Sequence, residues 1–223
     1  MNTHHDNELS QLKDKLLTMA SLAEQALVGA VRALVDHDDD LARQVKANDD
    51  VIDRLEIAVD DSAVGLLAKA PLARDLRFIV VAMKISHDLE RAGDEASGVA
   101  KQALKLNAEP QLKPYVDIPN MATMAQQMLR EAIAAFIEGN AQRAREVLPS
   151  DEQVNKLHKQ LQRELISYML EAPPNITRCL SLMQVAKRIE RIADHAKNIA
   201  EEVVFLLEGR DIRHKRAMAA GEV

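Results

Sequence analysis

The stretch SHDLERAGDEASGVA at residues 86–100 is written a second time, as AKRIERIADHAKNIA, at residues 186–200. Across this offset of 100, Glu90 and Glu190, Arg91 and Arg191, Asp94 and Asp194, Ala96 and Ala196, and Ala100 and Ala200 are identical pairs. Leu89 and Val99 meet Ile189 and Ile199, one aliphatic for another. Such self-similarity is the mark of a duplicated unit.

Periodicity gives the unit its secondary structure. Around the first copy Phe78, Ala82, Ile85, Leu89, Ala92, Ala96 and Val99 recur at spacings of four and three, and Leu182, Val185, Ile189, Ile192, Ala196 and Ile199 do so around the second. This is the a/d stripe of a helix packed in a bundle. With Leu89 and Ile189 at a, Glu90 and Glu190 take b and Asp94 and Asp194 take f, so the acids are expected outside the core.

Two carboxylates at i and i+4 lie about 5–6 Å apart at Cβ and repel each other unless a cation or a shared proton stands between them. The plain alternative is a solvated face on which Glu90 pairs with Arg91 and nothing binds. Recurrence of the pair in the same heptad phase favours a cation.

N-terminal to the first copy, Leu9, Leu12, Leu16, Met19, Ala23 and Ala26 keep a helical period, predicting a first helix from about Asp6 to Val35. The acidic turn His37-Asp38-Asp39-Asp40 ends it. A second helix is predicted to about Lys69, carrying an acidic stripe of Asp49, Asp53, Glu56 and Asp60 on its flank. Pro71 stops that helix and opens the third, and prolines at 110, 114 and 119 mark a linker. The plan then repeats: helices from about Asn120 to Glu138, from the Gly139-Asn140 break to about Glu171, and from about Ile176 to Glu208. Asp49 to Leu55 returns as Asp151 to Leu157 at an offset of 102, with Asp151 for Asp49 and Asn155 for Asp53. The expected fold class is all-α: two tandem, sequence-related three-helix bundles built from six long helices. The expected division is 1–107, a linker at 108–119, 120–209, and a basic tail at 210–223 holding Arg210, Arg213, Lys215 and Arg216.

Composition agrees. Hydrophobic residues make up 47% of 223 and charged ones 29%, with seven Gly and seven Pro, which suits long charged helices with few breaks. Aromatics are 2% with no Trp, so stacking platforms for bases are missing, and the net charge of −6 also argues against nucleic acid as a partner. The acidic surplus lies in residues 1–110, with 20 acids and 13 bases, against 15 and 16 in the remainder. Cys179 stands alone, so a multi-thiolate metal site is out of reach. MNTHHDNELS lacks the regions of a signal peptide, and the longest uncharged run, Ile118 to Leu129, is short of the ~20 residues that span a bilayer. A cytoplasmic protein with no direct membrane insertion is expected.

In each unit the D-x-x-x-D/N face of the middle helix is expected beside the E-x-x-x-D face of the last. Converging carboxylates without a basic partner form a hard site, suited to Mg, Ca, Mn or iron rather than to thiophilic metals.

Three motifs together resemble those of the PhoU family of bacterial phosphate-transport accessory and phosphate-signalling proteins. They are Pro71-Leu72-Ala73-Arg74-Asp75-Leu76-Arg77, Asp88-Leu89-Glu90-Arg91-Ala92-Gly93-Asp94, and Arg188-Ile189-Glu190-Arg191-Ile192-Ala193-Asp194-His195-Ala196. The resemblance covers nearly the whole chain. It implies two three-helix bundles with surface metal clusters of iron, manganese, magnesium or zinc. Carried onto this sequence, the ligands are Asp49, Asp53, Glu90 and Asp94 for one site, and Asp151, Glu190 and Asp194 for the other. Asn155 departs from the acidic pattern and implies a weaker second site, and Asn175-Ile176-Thr177-Arg178 stands where a second D-L-R is wanting. The resemblance further implies a homodimeric negative regulator, not an enzyme, acting between a phosphate ABC transporter ATPase and a membrane sensor histidine kinase.

Two other classes compete. A carboxylate-bridged di-iron enzyme wants paired Glu-x-x-His motifs in a bundle core, and the chain has none. A histidine phosphotransfer module would use His87, whose counterpart in the repeat is Lys187; both His87 and His195 read more simply as surface residues.

Overall fold

The computed structural model describes residues 3–69, 73–210 and 212, with side chains from residue 6 onward. Pro71 and Leu72 of the sequence motif, and Arg213, Lys215 and Arg216 of the tail, lie outside the described residues. The helices are α1 Thr3–Val35, α2 Asp39–Ala47, α3 Asp49–Leu67, α4 Ala73–Asn107, α5 Asp117–Glu138, α6 Ala141–Glu171 and α7 Ile176–Glu208, with a 3₁₀ turn at Pro173–Asn175. No strand occurs among the described residues. Helices α1, α2, α3 and α4 form one bundle and α5, α6 and α7 the other, joined where α4 packs on α7 and α1 on α5.

Local chemistry sets the helix ends. The Asp38 carboxylate accepts the Leu41 backbone N–H at 2.9 Å to start α2, and Asn140 accepts that of Arg143 at 3.0 Å to start α6. Gly139 (φ 65°) and Gly209 (φ 67°) close α5 and α7 in the left-handed region, where a Cβ is penalised.

The expected second helix is broken at Asn48, which caps the end of α2 and the start of α3. Asn48-Asp49-Asp50 is a poor helix interior and a good N-terminus, since short polar side chains and anions favour a first turn. The other repeat carries Pro149, which can donate no N–H, at the position equivalent to Ala47, yet α6 runs through it. In both repeats the first acid of the stripe, Asp49 or Asp151, thus follows directly on a weak point.

The linker is shorter than expected. Helix α5 begins at Asp117, so Pro119 sits in its first turn, where no backbone donor is needed. The remaining linker is pinned: the Arg178 guanidinium donates to the Pro110 carbonyl at 2.8 Å, and the Lys113 ammonium lies 3.2 Å from Asp117 and 2.5 Å from Glu164.

Buried apolar side chains form a continuous core through both bundles, and Phe78 stacks on Phe136 across them with centroids 5.5 Å apart. The α4–α7 contact is different in character, being laced by polar pairs. Lys84 meets Glu202 at 3.0 Å, Asp88 meets His195 at 2.8 Å and Asn198 at 3.3 Å, and Gln102 donates to Gln184 at 2.7 Å. Glu95 accepts from Arg188 at 2.8 Å and Arg191 at 3.0 Å. Gly98 makes room for this, because a Cβ there would stand 2.2 Å from an Arg188 nitrogen. The offset of 100 turns Lys84–Glu202 into Gln184–Gln102 and Asp88–His195 into Arg188–Glu95, so the pairs obey the repeat's own two-fold relation. His195, expected at the surface, is instead a link between the repeats.

Candidate metal centre

Helix α3 presents Asp49, Asp53 and Glu56 at spacings of four and three, the recurrence that keeps side chains on one helical face. Helix α4 packs against α3 and brings His87, Glu90, Asp94 and Ser97 to that face. Gly93 permits the approach: a Cβ there would sit 2.7 Å from the Ile52 Cδ1. The four residues expected in the first site share this face, but of them only Glu90 belongs to the group of closely converging donor atoms that Glu56 and His87 complete. The Asp94 charge raises the proton affinities of Asp49, Asp53 and Glu90.

The carboxyls of Asp49, Asp53 and Glu90 are all held above the usual carboxylate range. Burial is the largest cause for each, and repulsion from neighbouring carboxylates adds to it. The Ser97 hydroxyl draws Asp49 back down, as Arg91 does Glu90. Arg91 touches Glu90 at 3.7 Å and Asp94 at 3.5 Å, both long contacts from a half-exposed guanidinium. The pairing expected of a merely solvated face is therefore present but weak. Of the five carboxylates, counting Glu56, Arg91 reaches two, and Arg54 acts on Asp53.

Glu56, His87 and Glu90 each offer a ligand atom, and these lie within 4.8 Å of one another. The His87 Nδ1 is 3.2 Å from the Glu56 Oε1. Oxygen and imidazole donors at that separation suit a divalent or trivalent cation of hard or borderline character. The same surroundings disfavour His87 as a phosphoacceptor, since an anionic donor would approach past Glu56 and Glu90.

The residues expected in the second site have different neighbours. Glu190, placed outside the core by heptad position, is buried at 8% exposure, because α7 is covered by α4, α5 and α6 and not along one seam, and Asp151 on α6 is buried with it at 4%. Lys197 donates to the Asp151 Oδ2 at 3.0 Å, Asn155 donates to the same oxygen at 3.2 Å, and Lys187 donates to Glu190. Burial first, then the charges of Glu190 and Asp151, push the Asp194 carboxyl up to about 6 against the pull of Lys187 and Lys197. The expectation of carboxylates without a basic partner fails here.

Comparison with known proteins gives this architecture its place. The PhoU domain model matches residues 16–103 and again residues 118–203, one match for each repeat. The chain belongs to the PhoU family. It is 41% identical over 219 residues to the phosphate-specific transport system accessory protein PhoU homolog of Pseudomonas aeruginosa, covering 95% of this chain and 90% of that one. The Aquifex aeolicus homolog of the same description is 40% identical, with 96% and 98% covered. The crystal structure of PhoU from P. aeruginosa superposes with a TM-score of 0.89 at 40% identity, covering 92% of this chain and 99% of that chain. The structure of the phosphate transport system regulatory protein PhoU from Streptococcus pneumoniae gives 0.86 at 30%, covering 93% and 99%.

In this PhoU-family chain, sequence reading overlooked Glu56 and His87 as members of the first cluster, and Lys187, Lys197 and His158 as members of the second. The signal was available. At an offset of 100, His87 becomes Lys187 and Ser97 becomes Lys197, and at 102 Glu56 becomes His158. What was missing was the knowledge that these positions face the acids.

Proposed function

We propose that this protein is an accessory and negative regulator of phosphate uptake and of the phosphate-starvation response. It acts as a non-enzymatic, cytoplasmic adaptor, working as a homodimer between a phosphate ABC transporter ATPase and a sensor histidine kinase. The observation that carries the reading is the match of both repeats to the PhoU domain, with relatives named as accessory or regulatory proteins of phosphate transport. No helix among the described residues is long and apolar enough to cross a membrane, so contact with a membrane transporter would be made through protein.

The α3–α4 cluster is proposed as a cation site. Asp49, Asp53, Glu56, His87, Glu90 and Asp94 would hold a hard or borderline cation such as iron, manganese, magnesium or zinc, which would supply the positive charge that these crowded carboxylates call for. Ser97 orients Asp49, and Gly93 keeps the two helices close enough to share the ion.

The test is affinity purification from phosphate-replete and phosphate-starved cells, with mass spectrometry of the proteins retained. Recovery of the transporter ATPase or a sensor kinase is expected. Recovery of neither from either culture would refute the adaptor role.

A further inference from the structure

We propose that the second repeat takes up no metal, because the ammonium groups of Lys187 and Lys197 already occupy the place that a cation takes in the first. This rests on reading the α3–α4 cluster as a cation site, and it makes the two repeats chemically unequal.

The substitutions run in one direction. Where the first repeat offers Asp53, Glu56, His87 and Ser97, the second offers Asn155, His158, Lys187 and Lys197. Two carboxylates give way to an amide and an imidazole, and an imidazole and a hydroxyl give way to ammonium groups. Each lysine is engaged with the carboxylates themselves. Lys187 donates to Glu190, whose side chain is 10% exposed, and Lys197 lies 3.0 Å from the Asp151 Oδ2, at 5% exposure. Asn155 adds a second donor at that same oxygen.

Geometry agrees with composition. Among the described residues, Glu56, His87 and Glu90 are the group whose donor atoms converge closely enough to hold an ion; the equivalent positions of the second repeat hold His158, Lys187 and Glu190, where an ammonium stands in place of the imidazole. A metal entering the second cluster would have to expel an ammonium from a buried carboxylate while enduring repulsion from the other lysine. In the first cluster it meets carboxylates, the His87 ring and the Ser97 hydroxyl, with Arg91 loosely placed at Glu90 and Asp94 and Arg54 acting on Asp53 from further off. Metal loading would therefore change the α3–α4 face alone and leave the α6–α7 face as it is.

The experiment uses the full-length chain, stripped with chelator, re-loaded with Mn²⁺ or Fe²⁺, desalted and assayed for metal by elemental analysis, with melting temperatures recorded in chelator. Three variants are compared with wild type: E90Q/D94N, D151N/E190Q and K187H/K197S. Wild-type metal content is expected to be abolished by E90Q/D94N and unchanged by D151N/E190Q, and to rise in K187H/K197S, which restores the first repeat's residues. In chelator, D151N/E190Q is expected to melt several degrees lower, since it strips Lys197 and Lys187 of their partners, while E90Q/D94N melts no lower than wild type. Loss of part of the metal in D151N/E190Q would overturn the proposal. So would an unchanged or raised melt of that variant in chelator, even if wild type binds no metal. Absence of metal from wild type would sink the cation reading of the first repeat, leaving the lysine assignment to be decided by the order of the chelator melts.

Discussion

Glu95 joins the repeats, and replacing it by alanine should loosen the whole molecule. Its two oxygens accept separately, from Arg188 at 2.8 Å and from Arg191 at 3.0 Å, while its side chain is only 12% exposed. Hydrogen bonds between charged groups contribute about 1.5–3 kcal/mol when covered, and exposed pairs about 0.2–1 kcal/mol. Arg191 is 53% exposed and belongs near the lower figure, whereas Arg188, at 32% and lying over Gly98, belongs nearer the upper one. Glu95→Ala should thus cost about 2–3 kcal/mol, and Glu95→Gln, which keeps one acceptor, about 1 kcal/mol. In a chain of this length each kcal/mol lowers the melting temperature by about 2–4 °C, so the alanine variant should melt about 4–12 °C below wild type. Urea denaturation and a double-mutant cycle with Arg188→Ala provide the assay, with an expected coupling of about 1–2 kcal/mol. The solvent-exposed pair Arg32 and Asp36 serves as control, and Asp36→Ala should change stability by less than about 0.5 kcal/mol. If Glu95→Ala proves no more costly than Asp36→Ala, the α4–α7 ion pairs are incidental and the repeats are held together by apolar contact alone.

Gly98→Ala should reproduce part of that loss, since its Cβ would stand 2.2 Å from an Arg188 nitrogen and push the guanidinium off Glu95; wild-type stability in this variant would mean that Arg188 is free to move. The metal-free protein should gain stability from its clustered acids as pH falls from about 7 to about 5. Asp49, Asp53, Glu90 and Asp194 hold protons in the folded state above their ordinary values of 3.8 and 4.5, Asp194 up to about 6, so the folded form binds more protons than the unfolded one in that window. Melts in chelator across the range test this, and cation affinity, which requires those protons to leave, should weaken over the same interval. Residues 1–107 and 118–223, expressed separately, should each give a helical spectrum and a cooperative melt, because the α4 and α7 faces exposed by the division are rich in polar pairs; an unfolded fragment would show that the continuous core cannot be divided.

The helices and their duplication were legible in the sequence because both are local properties. A spacing of four and three places Leu89, Ala92 and Ala96 on one side of any helix, and an offset of 100 needs no structure to be seen. The acidic pairs were legible for the same reason, as two carboxylates one turn apart share a face wherever the helix goes. The break at Asn48 was written in Asn48-Asp49-Asp50 but hidden beneath an unbroken apolar stripe from Val45 to Ile52. Tertiary structure alone decided what each acid meets. Heptad position put Glu190 on an outer face, and packing against three other helices buried it; His195 was turned into a link to Asp88 in the same way. Lys197 and Asp151 lie 46 positions apart, and only the antiparallel packing of α6 on α7 brings their charges to 3.0 Å. Spacing along a chain determines which residues share a surface, whereas the field at that surface depends on charges carried in from distant segments, which is why the two clusters look alike in sequence and differ in chemistry.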